Sequence, residues 1–314
     1  MWILDRISRV VRILAFNPRF WNTKAMVTYD ASSNLVRMEV TYQKSLAPKP
    51  GTYYYVHVLD DLLYAHQSHP FTLAYVRTDD VYREEHIQPL LQRPSTRRTS
   101  SVDSTDSDPL LASTTAPSVS SSLVFLIRPY GGFTSRLAQK ASASAESLRI
   151  LVEGPYGHTA PLRQYSHVLF VVGGTGIAVP LSHFASILTG GSAVTSLRIV
   201  WAVREHAFLA SVLNEFRSLL QDERVCLEAY VTQNEENLDD VATEELKRVK
   251  IEAGRPEVQA VVADAAAEAH VQYGRLAIMA CGPAQMADQA RQASVAVLGQ
   301  GIRGVDYFEE SFKW

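Results

Sequence analysis

From residue 23 to about residue 154, short apolar runs alternate with turn residues, at 25–29, 35–42, 53–59, 71–76, 123–128 and 148–152. The runs are rich in Val, Leu, Tyr and Thr, and no long helical pattern separates them. They predict six strands of a small antiparallel barrel. Beyond residue 161 the pattern changes to apolar runs alternating with helical ones. The runs are 167–172, 197–203, 225–231, 276–280 and 305–312, and the helical patterns are 177–188, 205–220 and 284–298. Strands apolar on both faces and separated by helices predict a parallel sheet covered on both sides.

Two further segments stand apart. Over residues 1–14, Ile3, Ile7, Val10, Val11 and Leu14 recur at helical spacing beside Arg6, Arg9 and Arg12. This pattern fits a basic amphipathic helix, either packed on the body or lying on an anionic membrane surface, and periodicity does not choose between them. Residues 79–122 turn polar and become mostly Ser and Thr, which predicts a disordered insertion with too few apolar groups to offset the entropy of ordering. Within it, Arg97-Arg98-Thr99-Ser100 has the form of a basophilic kinase site. The resulting division is a helix at 1–20, a barrel at 21–160 carrying the insertion, and an α/β unit at 161–314.

Composition narrows the classes. The 314 residues hold 30 Lys plus Arg against 33 Asp plus Glu, a net charge of −3, and no basic stripe marks a nucleic-acid surface. The 2 cysteines, Cys226 and Cys281, provide neither a disulfide framework nor a zinc site. No window approaches the roughly 18 apolar residues that span a bilayer. Neither a G-x-S-x-G elbow nor an H-E-x-x-H helix is present, so hydrolase chemistry of those types is not indicated.

Glycine supplies the leading candidates. In Gly173-Gly174-Thr175-Gly176-Ile177-Ala178-Val179-Pro180 the glycines fall where a buried strand turns into a helix. There the backbone can approach a pyrophosphate, and the helix start offers unpaired N–H donors. Packing alone would also account for such a turn. Glu153-Gly154-Pro155-Tyr156-Gly157 closes the barrel segment, and Cys281-Gly282-Pro283 follows the run 276–280, at the strand edge where open α/β sheets bind ligands. The barrel adds His69-Pro70-Phe71-Thr72 and Arg128-Pro129-Tyr130-Gly131-Gly132-Phe133-Thr134, an arginine and a glycine pair ahead of a short helix at 133–141, which suits a diphosphate. Arg204 ends the second strand of the sheet, where an arginine would meet a ribose 2′-phosphate and a carboxylate a 2′-hydroxyl; Glu205 stands beside it.

Taken in order, these clusters and the ending Phe308-Glu309-Glu310-Ser311-Phe312-Lys313-Trp314 resemble the cytosolic flavin and pyridine-nucleotide module of the ferric reductase and NADPH oxidase superfamily. The flavin cluster and the ending are similar to those of fungal ferric reductases. The resemblance implies a two-domain, ferredoxin-reductase-like fold in which a six-stranded antiparallel FAD barrel precedes an α/β parallel-sheet NADP-binding domain. It implies that His69, Pro70, Phe71 and Thr72 line the flavin, with Thr72 near the nitrogen that accepts hydride. Arg128, Gly131, Gly132, Phe133 and Thr134 would hold the FAD diphosphate.

On the nucleotide side, Gly173, Gly174, Thr175, Gly176, Ile177 and Pro180 would cradle the NADPH pyrophosphate. Gly154, Pro155, Tyr156 and Gly157 would border the nicotinamide cleft, with Cys281, Gly282 and Pro283 near the nicotinamide. Phe312 would cover the flavin, and Arg204 and Arg255 (in Gly254-Arg255-Pro256) would favour NADPH over NADH. The implied activity is hydride transfer from NADPH to FAD and single electrons onward to haem and ferric iron, on the cytoplasmic face of a membrane. The haem would lie in a membrane portion absent from this chain. An oxidase module, a soluble diaphorase and a non-catalytic nucleotide-binding remnant are the alternatives.

Overall fold

The computed structural model describes residues 23–42, 48–60, 67–78, 121–142, 144–233 and 248–310, with Leu4, Ile7, Ser8, Val10, Val11 and Leu14. The barrel strands are β1 (Lys24–Asp30), β2 (Leu35–Tyr42), β3 (Tyr53–Val58), β4 (His69–Thr72), β5 (Tyr75–Thr78), β6 (Ser121–Ile127) and β7 (Glu146–Tyr156), with α1 (Gly132–Ala141) between the last two. They form one antiparallel sheet in the order β4-β3-β7-β1-β2-β6-β5. The sheet closes on itself. Its two edges, β4 and β5, are consecutive in the chain, and the Leu73 N–H donates to Thr52 O (3.0 Å) beside β3 while the Ala74 N–H donates to Val124 O (2.9 Å) in β6. The run expected at 71–76 is therefore two strands, because the chain changes edges at Leu73–Ala74.

Inward residues alternate along each strand, and Val27, Met38, Tyr54, Phe125, Ile150 and Val152 fill the barrel with Phe133, Leu137, Ala138 and Ala141 of α1. Strand β6 is apolar on both faces for a visible reason: Leu123, Phe125 and Ile127 enter the barrel, whereas Leu126 points out and joins the core of the second unit.

That second unit holds β8 (His167–Gly173), α2 (Ala178–Leu188), β9 (Ser196–Val203), α3 (His206–Glu215), α4 (Arg217–Leu220), β10 (Val225–Val231), β11 (Val249–Ala253), α5 (Val258–Val271), β12 (Leu276–Cys281), α6 (Ala284–Gly299) and β13 (Val305–Glu309). Its sheet is parallel, in the order β11-β10-β9-β8-β12-β13. Val168, Phe170 and Val172 face α2 and α3, and Leu169 and Val171 face α5 and α6. The period-2 alternation thus meets an apolar layer on either side. The helix expected at 205–220 breaks at Phe216, whose side chain is buried against Phe184 and Tyr75.

Ser121 and Ser122, expected at the end of the polar insertion, open β6 instead, and the insertion otherwise lies outside the described residues. The described positions of the N-terminal segment are helical, and Leu4, Ile7, Val10, Val11 and Leu14 are each 50–70% exposed. These side chains do not pack on the body. No helix among the described residues is long and apolar enough to cross a membrane.

Candidate functional site

Strand order locates a candidate ligand crevice. The chain runs outward from β8 through β9, β10 and β11, then returns to place β12 on the other side of β8, so the order reverses between β8 and β12. Open α/β sheets bind ligands at such a switch point, beyond the carboxyl ends of the strands. Both glycine clusters lie there. A Cβ on Gly176 would stand 2.2 Å from Cys281 O, one on Gly173 would stand 2.6 Å from Pro283 Cδ, and one on Gly282 would stand 2.9 Å from Gly173 N. The two turns touch backbone to backbone, which only glycine allows. Beside them Gly174 adopts φ +54° with open space where a Cβ would point, and its carbonyl accepts from Trp201 Nε1 at 2.9 Å.

On the barrel side, β4 pairs with β3 so that Thr72 opposes Tyr53, which in turn opposes Tyr156 of β7. The His69 ring stacks on Phe133 (centroids 4.1 Å apart, planes 15° apart), and Phe71 lies against the same ring at 6.2 Å. Burial, with His57 nearby, lowers the His69 pKa and favours the neutral imidazole. Helix α1 starts at Gly131-Gly132, where φ is +148° and +49° and added Cβ atoms would meet nothing. No side chain caps it. Thr134 Oγ1 steadies the turn, donating to Gly131 O and accepting from Tyr130 N, each at 3.1 Å. Arg128 leaves β6 just ahead of this turn with only 4% of its side chain exposed, and its Nε is buried without a partner among the described residues. The two barrel clusters are thus one surface.

The barrel and the sheet meet along a seam. Gly51 donates its N–H to Ser182 Oγ of α2 at 3.0 Å. A Cβ on Gly51 would stand 3.1 Å from His183 Nε2 and 3.9 Å from Glu310 Oε1. Burial holds His183 near a pKa of about 4, hence neutral, and pushes Glu310 up to about 7. Burial, and secondarily Glu310, pushes the Cys281 thiol up to about 12. Cys281 therefore stays protonated, and what it offers a ligand is contact rather than a thiolate nucleophile. Glu310, part of the ending motif but given no role from sequence, extends the β13 ladder through its N–H to Ala280 O (2.9 Å).

Further out, β2 and β5 are tied to α3. Arg37 grips Glu215 with two hydrogen bonds (2.8 and 2.6 Å), Tyr75 OH joins both, and Arg77 reaches Glu215 at 3.3 Å and Glu39 at 2.7 Å. Burial opposes ionisation of Glu215, but the bonds from Arg37 prevail and hold its carboxyl below the usual value. Leu35, Ala74 and Leu126 of the barrel share a core with Phe184 and Phe216. One continuous packed region fixes the two units against each other.

Several of the expected site residues also serve packing. Gly154 is buried under the Tyr54 ring, where a Cβ would stand 2.5 Å from Cδ1, so barrel packing requires its glycine. Ile177 and Pro180 are buried at the start of α2. Proline is tolerated at the third position of α2 because first-turn N–H groups have no intrahelical partner. Pro155, Tyr156 and Gly157 run to the seam, where Gly157 packs against Tyr53 and Gly51. Thr175 and Pro283 flank the crevice, and Arg204 and Arg255 are exposed at the carboxyl ends of β9 and β11. Phe312 lies outside the described residues.

A barrel with an uncapped helix start, locked to a parallel sheet with a glycine crevice at its switch point, defines a two-domain fold with a candidate ligand surface on each domain. Residues 165–295 match the ferric reductase NAD binding domain, and residues 20–91 match an FAD-binding domain. The chain thus carries a region similar to each of these two domains. It is 27% identical over its whole length to both ferric/cupric reductase transmembrane component 2 and ferric reductase transmembrane component 3 of Saccharomyces cerevisiae, and it spans 42% of each. The fold is similar to that of a ferredoxin NADP+ reductase from Neisseria gonorrhoeae crystallised with FAD and NADP (TM-score 0.54, 11% identity, 91% of this chain and 98% of that one).

Proposed function

We propose that the chain is the FAD- and NADPH-binding module of a ferric-chelate reductase, with residues 21–160 holding the flavin and 161–314 the nucleotide. When bound, FAD would accept hydride from NADPH and release electrons singly to haem and then to ferric iron. The observation that carries this reading is the meeting of two ligand surfaces at one seam: the β4, Arg128 and α1 surface of the barrel, and the Gly173, Gly176 and Gly282 crevice of the sheet. Both fit their groups. The unpartnered buried Arg128 Nε and the open turn at Gly131-Gly132 suit a diphosphate, and the backbone contact between the two sheet turns leaves a shallow floor for a pyrophosphate. Anaerobic addition of NADPH to the FAD-loaded chain tests the proposal.

Within it, His69, Phe71 and Thr72 would present the strand edge along the flavin, Phe133 backing His69 from below. The protonated Cys281 would fill the nicotinamide side without competing as a nucleophile. The half-buried Glu310, with a pKa of about 7, would hold or yield a proton near neutral pH beside that position. The exposed N-terminal apolar stripe with its arginines would lie on the cytoplasmic face of a membrane, next to the portion that carries haem.

NADPH is favoured because Arg204 is exposed at the ribose end of β9, while the neighbouring Glu205 carboxylate is engaged by Arg128 and so does not oppose a 2′-phosphate. Arg204→Ala is expected to raise the KM for NADPH about tenfold, the loss of one charge-assisted contact, and to leave that for NADH within about twofold. An unchanged preference in steady-state diaphorase assays would remove Arg204 from the site.

A further inference from the structure

Glu205 occupies the cap position of α3, yet its side chain makes no capping bond there. Its carboxylate instead crosses to the barrel and receives the NH2 group of Arg128, a residue 77 positions away in sequence. Arg128 is almost wholly enclosed, with 4% of its side chain exposed against 21% for Glu205. Nη2 of the guanidinium donates to Glu205, and its Nε remains buried without a partner among the described residues. A planar guanidinium held at one edge has its remaining N–H donors fixed in direction, and this pre-organises them for a second anion.

We infer that Glu205 is a positioning residue for the flavin site: it orients Arg128 so that the free edge of the guanidinium meets the FAD diphosphate. The grip of the barrel on its cofactor then depends on a carboxylate supplied by the nucleotide domain. Glu205 is accordingly not the group that reads the nucleotide ribose, although its place after β9 is where such a carboxylate stands. The inference rests on the proposed FAD-binding role of Arg128 and goes beyond it by assigning the residue that holds Arg128 in place.

The test uses the 314-residue chain stripped of flavin and titrated, by fluorescence quenching, with FAD and separately with riboflavin, which has the ring system and no diphosphate. Glu205→Gln is expected to weaken FAD about tenfold or more, as one charge-assisted contact is misaligned, while riboflavin affinity stays unchanged. Glu205→Asp, which keeps the charge, is expected to recover most of the loss. Equal FAD affinity in Glu205→Gln and the parent chain would overturn the assignment. So would a parallel loss of FAD and riboflavin, which would mark Glu205 as a support of the fold, or a loss of NADH affinity alone, which would mark it as the ribose carboxylate. A parent chain that binds riboflavin and FAD equally would instead overturn the diphosphate role of Arg128 itself.

Discussion

Replacing Glu215 by alanine is expected to destabilise the protein by about 3 kcal/mol, the low end of the range for breaking an enclosed ion pair. Glu215 is the shared acceptor for Arg37, Tyr75 and Arg77, and its loss leaves the Arg37 guanidinium, 21% exposed, without its carboxylate. The cost should exceed that of an ordinary surface pair, about 0–1 kcal/mol, because the site is backed by the Tyr75–Phe216 contact and the core shared by both units. Urea unfolding checks this. Glu215→Gln, which keeps an acceptor for Tyr75, should cost less than Glu215→Ala. Since the network fixes barrel against sheet, hydride transfer should slow in both variants, in step with the stability loss. A change below about 0.5 kcal/mol in Glu215→Ala would place the docking energy elsewhere.

Gly176→Ala is expected to abolish nucleotide binding. Its Cβ would lie 2.2 Å from a backbone carbonyl, Cys281 O, and backbone cannot rotate away as a side chain can. The two turns must separate, at a cost of about 3 kcal/mol for overpacking at a rigid contact, and the crevice floor is lost with them. The KM for NADPH should rise more than about a hundredfold. Gly174→Ala is the informative partner. Gly174 faces open space, and its φ of +54° alone would cost about 1–2 kcal/mol. That variant should keep a measurable KM, whereas equal effects of the two would mean that backbone conformation, not close approach, sets the requirement for glycine.

The legibility of the sequence followed the size of the apolar side chains. Strands β8, β9, β10 and β12 are buried on both faces and read as continuous runs, and the barrel strands read as short runs rich in Val, Leu, Tyr and Thr between turn residues. Strand β11 (Val249–Ala253) was missed because it is an edge strand, with Lys250, Glu252 and Ala253 exposed. Helix α5 was missed for a different reason. It packs on α6 through Ala265, Ala266 and Ala269 against Ala287, Ala290 and Ala293, and small residues on both surfaces give close contact without the large-residue periodicity that marks a helix.

At the candidate site, the glycines of the two sheet turns were legible because close backbone approach at strand ends demands glycine. Gly154 carried the same signal for another cause, since the Tyr54 ring inside the barrel excludes a side chain just as a ligand would. Partnerships between distant segments left no local trace. Arg37 and Glu215 are 178 residues apart, and the proximity of Glu205 to Arg204 in sequence suggested a ribose contact when its carboxylate is turned to Arg128. Glu310 acquires its raised pKa only from burial at the seam.

The proposed function turns on whether the two ligand surfaces act together. The decisive experiment loads the 314-residue chain with FAD, adds NADPH under anaerobic conditions in a stopped-flow instrument, and follows the oxidised flavin absorbance. Rapid bleaching, faster with NADPH than with NADH, is the expected result. A chain that holds FAD but keeps its oxidised spectrum in the presence of saturating NADPH would contradict the proposed hydride transfer.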